Sequence, residues 1–339
     1  MTGKSPVCSV CIANYNGMAI IESCLDSVLN QKTTFPFEII VHDDASSDNS
    51  AEFIKHSYPE ARLIQSSENV GFCLSNNRMA ARAKGRYLLL LNNDTELFPD
   101  ALQCLYEAAE TDSTPTILGI RQFSARTGEL IDLGIDFDPF LNSVPNVDLQ
   151  REQVGMILGA CLWLPRHLWN ELGGFPNWFH TMHEDMYICC LARLRGNDVK
   201  VISQSGYKHW IGQSLGGGKV QNDQISTSIN RRYLSERNRI YVMGICYPGL
   251  LLWGILPLHL LLLMAEGLLL ALVKKNKKLF VSIYLTAFRD AWRNRQRIRL
   301  VRLQTQKKRA VSCKKFISVF YPMPHKLRML IKYGFPEVR

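Results

Sequence analysis

The chain predicts an α/β domain built on a mostly parallel sheet, followed by an apolar and basic helical tail. Three observations carry this. Across residues 1–120 short apolar runs alternate with helical patterns, the signature of βαβ units. The apolar runs stop at polar clusters, Asn14-Tyr15-Asn16, Asp43-Asp44 and Asn92-Asn93-Asp94, where open sheets of this kind bind ligands. Beyond Arg239 the composition turns first leucine-rich and then basic.

In order, strands are expected over residues 7–13, 37–42, 62–65, 86–92 and 116–120, with helices near 18–29, 50–57, 73–83 and 100–110. Residues 122–154 are irregular and rich in Asp, Asn and Pro, which reads as loops over a cleft, and a second ordered block runs over 155–239. A length of 339 residues suits one large domain with an appendage, because single cores stop growing near about 250–300 residues. The expected division is a catalytic domain over 1–240, with a nucleotide-binding part (1–120) and an acceptor-side part (121–240), and a membrane-associated tail over 241–339. The opening MTGKSPVCSV is expected to lead directly into the first strand rather than to serve as an export leader.

Charge is divided unevenly. Residues 274–339 hold nineteen Lys and Arg against Asp290 and Glu337, a net of +17, so the remainder carries −7 of the overall +10. A basic tail beside an acidic body points to an anionic surface, and the neighbouring leucine-rich run favours lipid over nucleic acid. Ten cysteines with this start fit a reducing compartment. Cys8 and Cys11 share a CxxC spacing without a second pair or a histidine at a zinc-site interval, and read as buried thiols.

Two nucleotide-binding signatures are missing. No GxGxxG follows the first strand and no GxxxxGK[ST] follows any strand, which excludes a Rossmann dinucleotide fingerprint and a P-loop. What stands at the strand ends is acidic and amide-rich. A nucleoside diphosphate needs acceptors for its base and ribose at one place and a divalent ion at another, since Mg²⁺ or Mn²⁺ takes carboxylate and phosphate oxygens. Asp94 is placed for the metal, Asp43 and Asp44 for base and ribose. The plainer reading of HDDASSDNS is a helix cap supplied by Ser47 or Asp48, which leaves the two carboxylates before it unexplained. NNDTELFPD has a similar plain reading as a polar turn before a helix.

Together these segments resemble family 2 inverting glycosyltransferases of the GT-A fold, in particular the rhamnosyltransferase-like branch. The likeness rests on VCSVCIANYNG at residues 7–17, VHDDASSD at 41–48, Asn69-Val70-Gly71-Phe72 with Asn77, and Leu91-Asn92-Asn93-Asp94, and covers roughly residues 7–239. It implies a GT-A nucleotide-diphospho-sugar transferase fold and a nucleotide-sugar site at Ala13, Asn14, Tyr15, Asp43, Asp44, Asn69, Gly71, Asn77 and Asn93. It further implies a metal ligand at Asp94. GACLWLPR at 159–166 and GGFP at 173–176 are similar to the family's acceptor-side segment, and Glu184-Asp185 to its ED pair. By resemblance Asp185 is the general base that takes the acceptor hydroxyl proton, with Glu184 and Trp210 on the acceptor side. Read without the family, Glu184 and Asp185 are as well explained as acidic residues at a helix N-terminus. His209 aligns with a family histidine near the diphosphate, as a metal ligand or a phosphate donor. Gly216–Gly218 with Lys219 reads as a closing loop. The sequence departs from the family where Asp43-Asp44 replaces Asp-Asn, and where Asn92-Asn93-Asp94 supplies one carboxylate instead of the two of a DxD.

Residues 250–273 are long enough to cross a bilayer. Both flanks are basic, with Arg231, Arg232, Arg237 and Arg239 before and Lys274, Lys275, Lys277 and Lys278 after, so both ends are expected at the cytoplasmic face. Pro257 is expected to break the run into two short legs, a re-entrant hairpin or an in-plane pair. Phe280, Tyr284, Phe288, Ala291 and Trp292 recur at near-helical spacing among arginines, as in an interfacial helix on anionic lipid; the plain alternative is a helix packed on the body. The expected function is transfer of a sugar, rhamnose by the resemblance to the rhamnosyltransferase-like branch, from a nucleotide diphosphate to a lipid-linked or growing saccharide in cell-surface polysaccharide biosynthesis. The chain is expected as a peripheral, re-entrant or single-span protein at the cytoplasmic face, without nucleic acid. A processive synthase would need several spanning helices and a QxxRW motif. The rival outside enzymes is an inactive GT-A scaffold at the membrane.

Overall fold

The computed structural model describes residues 5–210, 219–221, 224–322, 324–326, 329, 331 and 337–338. They pack as two units, one of residues 1–135, 145–192 and 197–210, the other of residues 136–144, 193–196 and 211–339.

The first unit is a sheet with helices between its strands. In chain order its strands are β1 (Cys8–Asn14), β2 (Phe37–Asp43), β3 (Ala61–Gln65), β4 (Tyr87–Asn92), β5 (Thr95–Leu97), β6 (Ile117–Ser124) and β7 (Leu130–Asp132). Two short strands, β8 (Ile135–Phe137) and β9 (Ser143–Pro145), pair with each other, and β10 (Cys161–Pro165) and β11 (Val199–His209) return to the main sheet. The sheet runs β3-β2-β1-β4-β10-β6-β11-β5, with β7 on β6. Strands β3, β2, β1 and β4 are parallel, and β1 and β4 are apolar and buried almost throughout, as strands covered on both faces must be. Helices α1 (Ile21–Leu29), α2 (Ser50–Ser57), α3 (Phe72–Arg82) and α4 (Ala101–Thr111) connect the strands up to β6, and α5 (Arg166–Leu172) and α6 (Glu184–Leu194) lie between β10 and β11. Ile12, Leu25, Val41, Ile54, Leu89, Leu102 and Trp163 form its core, each contributing about 1.5–3 kcal/mol by burial.

Register aligns the strand ends. Asn14 pairs with Asp43, and Ala13 with Asn92, so the three polar clusters of the sequence meet on one edge. The expected strands and helices of residues 7–120 are present within a few residues. Strands β5, β10 and β11, and the short β7, β8 and β9, were not anticipated. β5 is a three-residue strand inside the polar turn after Asn92. β10, read as part of an acceptor segment, inserts antiparallel between β4 and β6, with Trp163 opposite Leu89 and Leu118. β11 runs parallel to β6 and antiparallel to β5. The 122–154 stretch, expected as loops, contains β7, β8 and β9.

The second unit is helical. Helix α7 (Ile229–Cys246) packs here, so the boundary between the units falls ahead of residue 240. After Tyr247-Pro248, α8 (Gly249–Val273) runs unbroken through Pro257, and the expected two legs are one helix. The chain breaks at Pro248 instead. Next come α9 (Lys277–Leu279), a π-helical stretch (Phe280–Leu285), α10 (Thr286–Arg293) and α11 (Arg295–Lys307). Phe280, Tyr284, Phe288 and Ala291, expected to face lipid, pack instead with Leu263 and Leu270 of α8 and Ile240 of α7. Gly267 makes this possible, because a Cβ there would lie 2.6 Å from the Tyr284 ring.

Candidate active site

Asn14, at the end of β1, is the hub of the strand-end edge. Its Nδ2 donates to Asp43 Oδ1 at 2.9 Å and to Ser50 Oγ at 2.9 Å, and its Oδ1 accepts from Asn93 Nδ2 at 2.9 Å. A buried amide with these partners fixes three loops relative to one another. Gly17 closes the turn, since a Cβ there would lie 2.1 Å from Asn14 Oδ1.

Asp43 accepts from Ser46 Oγ at 2.6 Å and from Ser46 N at 3.1 Å. Asp44 accepts from Val70 N at 2.8 Å and from Gly71 N at 2.9 Å. Both carboxylates are buried, Asp43 ordering the turn after β2 and Asp44 holding Val70 and Gly71. The cap of α2 is served by Asp48, which accepts from Ser50 N at 3.1 Å and reaches Met18 N at 2.9 Å; Ser47 donates to Asn16 Oδ1. Asn77, expected to touch nucleotide, has its amide engaged by Phe175 N, Phe175 O and Asn177 Oδ1 at 2.6–3.0 Å, so it clamps α3 to the 175–177 segment. Tyr15 and Asn69 are exposed beside these groups, and Ala13 is half-buried.

Asp94 and His209 are brought together. β11 sets His209 opposite Thr95, Trp210 N donates to Asp94 O at 2.9 Å, and His209 Nε2 lies 3.2 Å from Asp94 Oδ1. Trp210 Nε1 donates to Glu96 Oε1 at 3.0 Å. A carboxylate and an imidazole at this separation fit two neighbouring positions on a divalent ion with ligands at about 2.1 Å. Among the described residues no group of three or more His, Cys, Asp or Glu closes on one point, so two protein donors leave room for phosphate oxygens. The Gly216–Gly218 loop lies outside the described residues.

The ED pair opens α6 (Glu184–Leu194). Just before it, His180, Met182 and His183 all have positive φ, at 66°, 73° and 67°, a strained approach of the kind that collects at functional sites. Gly71, at φ 85°, has no room for a Cβ, which would fall 2.2 Å from the His180 ring. Asp185 Oδ2 accepts from Gly159 N at 3.0 Å and Oδ1 from Met186 N at 2.7 Å. Burial raises the Asp185 pKa, against the pull of these N–H groups. Glu184 is buried, its Oε2 meets no hydrogen-bond partner among the described residues, and burial plus the Asp185 charge hold its pKa well above the usual carboxylate range. With two adjacent acids and one set of N–H donors, ionisation of Asp185 is favoured over that of Glu184.

The sequence reading missed Asp132, Gln122 and Tyr207. Tyr207 donates to Gln122 Oε1 at 2.6 Å, Gln122 pairs with Asp132 across β6 and β7, and Asp132 accepts from Gly134 N at 3.0 Å. Burial raises the Asp132 pKa to about 7, with Gly134 N–H and His209 acting the other way. Burial raises the Tyr207 phenol well above its usual pKa, and the charges of Asp132, Asp94 and Asp185 add to the rise. No local pattern announces these residues, because β7 and β11 arrange them.

The model of glycosyl transferase family 2 matches residues 9–172. The strand-end edge is thus a family 2 match. A poly(ribitol-phosphate) beta-glucosyltransferase of Bacillus spizizenii is 30% identical over 212 residues, covering 60% of this chain and 32% of that protein. The chain spans 14–34% of the length of the first curated relatives it matches. Among solved structures, a fragment of S. aureus TarS (1–349) in complex with UDP-GlcNAc superposes with a TM-score of 0.57 at 17% identity, covering 92% of this chain and 90% of that one. A mannosyltransferase from Pyrobaculum calidifontis in complex with GDP-Man and Mn2+ gives 0.53 at 14% identity, covering 85% and 88%. The fold is GT-A, as the family 2 match and these superpositions agree.

Proposed function

We propose that this protein is an inverting, metal-assisted glycosyltransferase. It moves a sugar from a nucleoside diphosphate to a hydroxyl of a lipid-linked or growing saccharide in cell-surface polysaccharide biosynthesis. The observation that carries the reading is the convergence at one sheet edge of the Asp94–His209 pair with the ordered Asn14, Asp43 and Asn93 network, all of them but His209 within the residues that match family 2. Exposed Tyr15 offers a face for the base, and Asp44 holds Val70 and Gly71 at the wall of the nucleotide pocket. Asp94 and His209 would hold Mg²⁺ or Mn²⁺, which when bound neutralises the charge growing on the departing diphosphate. The acceptor oxygen attacks the anomeric carbon from the face opposite the diphosphate; its bond forms as the bond to the diphosphate oxygen breaks. Asp185 takes the hydroxyl proton. Glu184, buried next to it in the chain with its pKa raised by burial, favours placing the pair's negative charge on Asp185. The leucine-rich and basic tail holds the catalytic body at the cytoplasmic face of the membrane, where such acceptors reside.

The test is release of nucleoside diphosphate from UDP, GDP and dTDP sugars, including the dTDP-rhamnose implied by the rhamnosyltransferase likeness, with and without Mn²⁺ or Mg²⁺ and with membrane lipid extract as acceptor. Turnover of one donor only with divalent metal is expected. Nucleotide binding without any turnover would favour an inactive scaffold.

A further inference from the structure

The apolar helix α8 is long enough to cross a membrane. Its 25 residues span about 37 Å at 1.5 Å per residue, against a hydrocarbon thickness of about 30 Å. Its surroundings in the second unit decide otherwise.

Helix α8 folds back along α7. Only Tyr247-Pro248 separates the two helices, yet Arg232, near the start of α7, pairs with Glu266, near the end of α8. Lys326 completes the contact, 2.8 Å from Glu266 and 2.8 Å from Glu236 of α7. The inner side of α8, through Leu256, Leu260, Leu263 and Leu270, packs with Ile229, Tyr233 and Ile240 of α7. The two helices therefore lie antiparallel over most of their length. On α7, Arg302 of α11 caps the C-terminal carbonyls, reaching Tyr247 O at 2.6 Å, and Asp290 of α10 accepts from Tyr233. Those neighbours expose Arg289, Arg293, Arg295, Arg297 and Arg299. If α8 crossed the bilayer, this polar sheath would cross with it, each arginine at mid-depth costing at least about 2.5 kcal/mol.

The outer side of α8 is apolar and open. Leu250, Trp253, Leu261 and Leu272 are 86%, 79%, 69% and 74% exposed, and together with Leu258, Leu268 and Leu269 they make one continuous stripe. Exposed Lys274, Lys275, Lys277 and Lys278 follow its C-terminal end. On α11, Leu300 and Leu303 are exposed among the arginines.

We propose that α8 lies in the plane of the membrane, its outer leucine stripe sunk into one leaflet of an anionic phospholipid bilayer and its inner face seated on α7, so that no segment of the described tail crosses. The occupant of the stripe is lipid rather than protein because the cations beside it complement anionic headgroups. This rests on the reading of the tail as a membrane anchor, and it fixes the side: the Lys274–Lys278 turn stays on the same side as the body.

The test uses full-length protein added to sealed vesicles containing about one-third anionic phospholipid, a composition that gives a negative surface potential. Lys277→Cys, in the turn, and Lys307→Cys, on α11, are labelled with a membrane-impermeant maleimide before and after vesicle lysis, over a wild-type background. The expected result is flotation with anionic vesicles, weakened by salt, and complete labelling of both introduced thiols before lysis. In the same assay Leu261→Glu with Leu272→Glu weakens flotation at least tenfold while nucleotide binding is unchanged. Flotation with half or more of the Lys277→Cys thiol protected until lysis would overturn the in-plane placement and leave the anchor reading standing. Absence of flotation would overturn both, without bearing on sugar transfer, which the turnover assay follows.

Discussion

Glu184 and Asp185 are neighbours with different duties, and the difference is one of surroundings. Asp185 receives two backbone N–H groups and Glu184 Oε2 receives no hydrogen bond among the described residues, so ionisation settles on Asp185. A carboxyl whose pKa is raised by folding binds its proton more tightly when folded. The stability it lends is present at low pH and is lost as pH rises from the unfolded value near about 4.3 toward the folded one. Wild-type protein is therefore expected to lose more stability than Glu184→Gln between pH 5 and pH 8, read as urea midpoints; equal losses would mean Glu184 is ionised throughout. The ED pair was legible as a motif, but its division of charge was not. That division depends on the Gly159 amide, 26 positions away in the chain. Asp94 was legible from its strand end, and its pairing with His209 needed β11. The amide of Asn77, another motif residue, is engaged by the 175–177 segment, a link the sequence does not show.

At the scale of elements, the parallel strands were readable because burial on both faces leaves continuous apolar runs, as in β1 and β4. β10 and β11 were not, because CLWLP reads equally as a buried helix segment and the alternation of β11 is broken by a bulge between Ile202 and Gly206. Gly71 joins two elements, the α3 N-terminus and the strained 180–183 approach to α6. Gly71→Ala meets both a positive φ and the His180 ring. Gly128, at φ 72° with open space around it, carries the backbone penalty alone, about 1–2 kcal/mol. The expectation is that Gly71→Ala lowers the thermal midpoint more than Gly128→Ala and weakens nucleotide binding, which Gly128→Ala leaves intact. Helix α8 was visible as an apolar run, but Pro257 misled, since a proline is tolerated where the helix is held by neighbours. Glu266 supplies part of that hold. Glu266→Leu leaves Arg232 and Lys326 without their shared anion and is predicted to cost about 3 kcal/mol or more, measured by denaturant unfolding.

The whole molecule divides its labour between an acidic body that carries the strand-end site and a basic helical unit with a leucine stripe. The charge asymmetry announced that division from the sequence alone, whereas the placement of α7 with the tail did not show, because its arginines read as a basic flank, while Glu236 and Arg239 are buried in the helical unit. The proposed transfer of a glycosyl group to a hydroxyl would use a sheet edge that orders Asn14, Asp43 and Asn93 and sets Asp94 beside His209, together with Asp185 at the start of α6. The most direct test of that claim pairs nucleoside diphosphate release with donor binding in wild-type and Asp185→Asn protein, under divalent metal. The account predicts that Asp185→Asn binds the donor as wild type does and turns it over at least about 100-fold more slowly, the scale of a lost general base. Turnover in Asp185→Asn equal to wild type would contradict it.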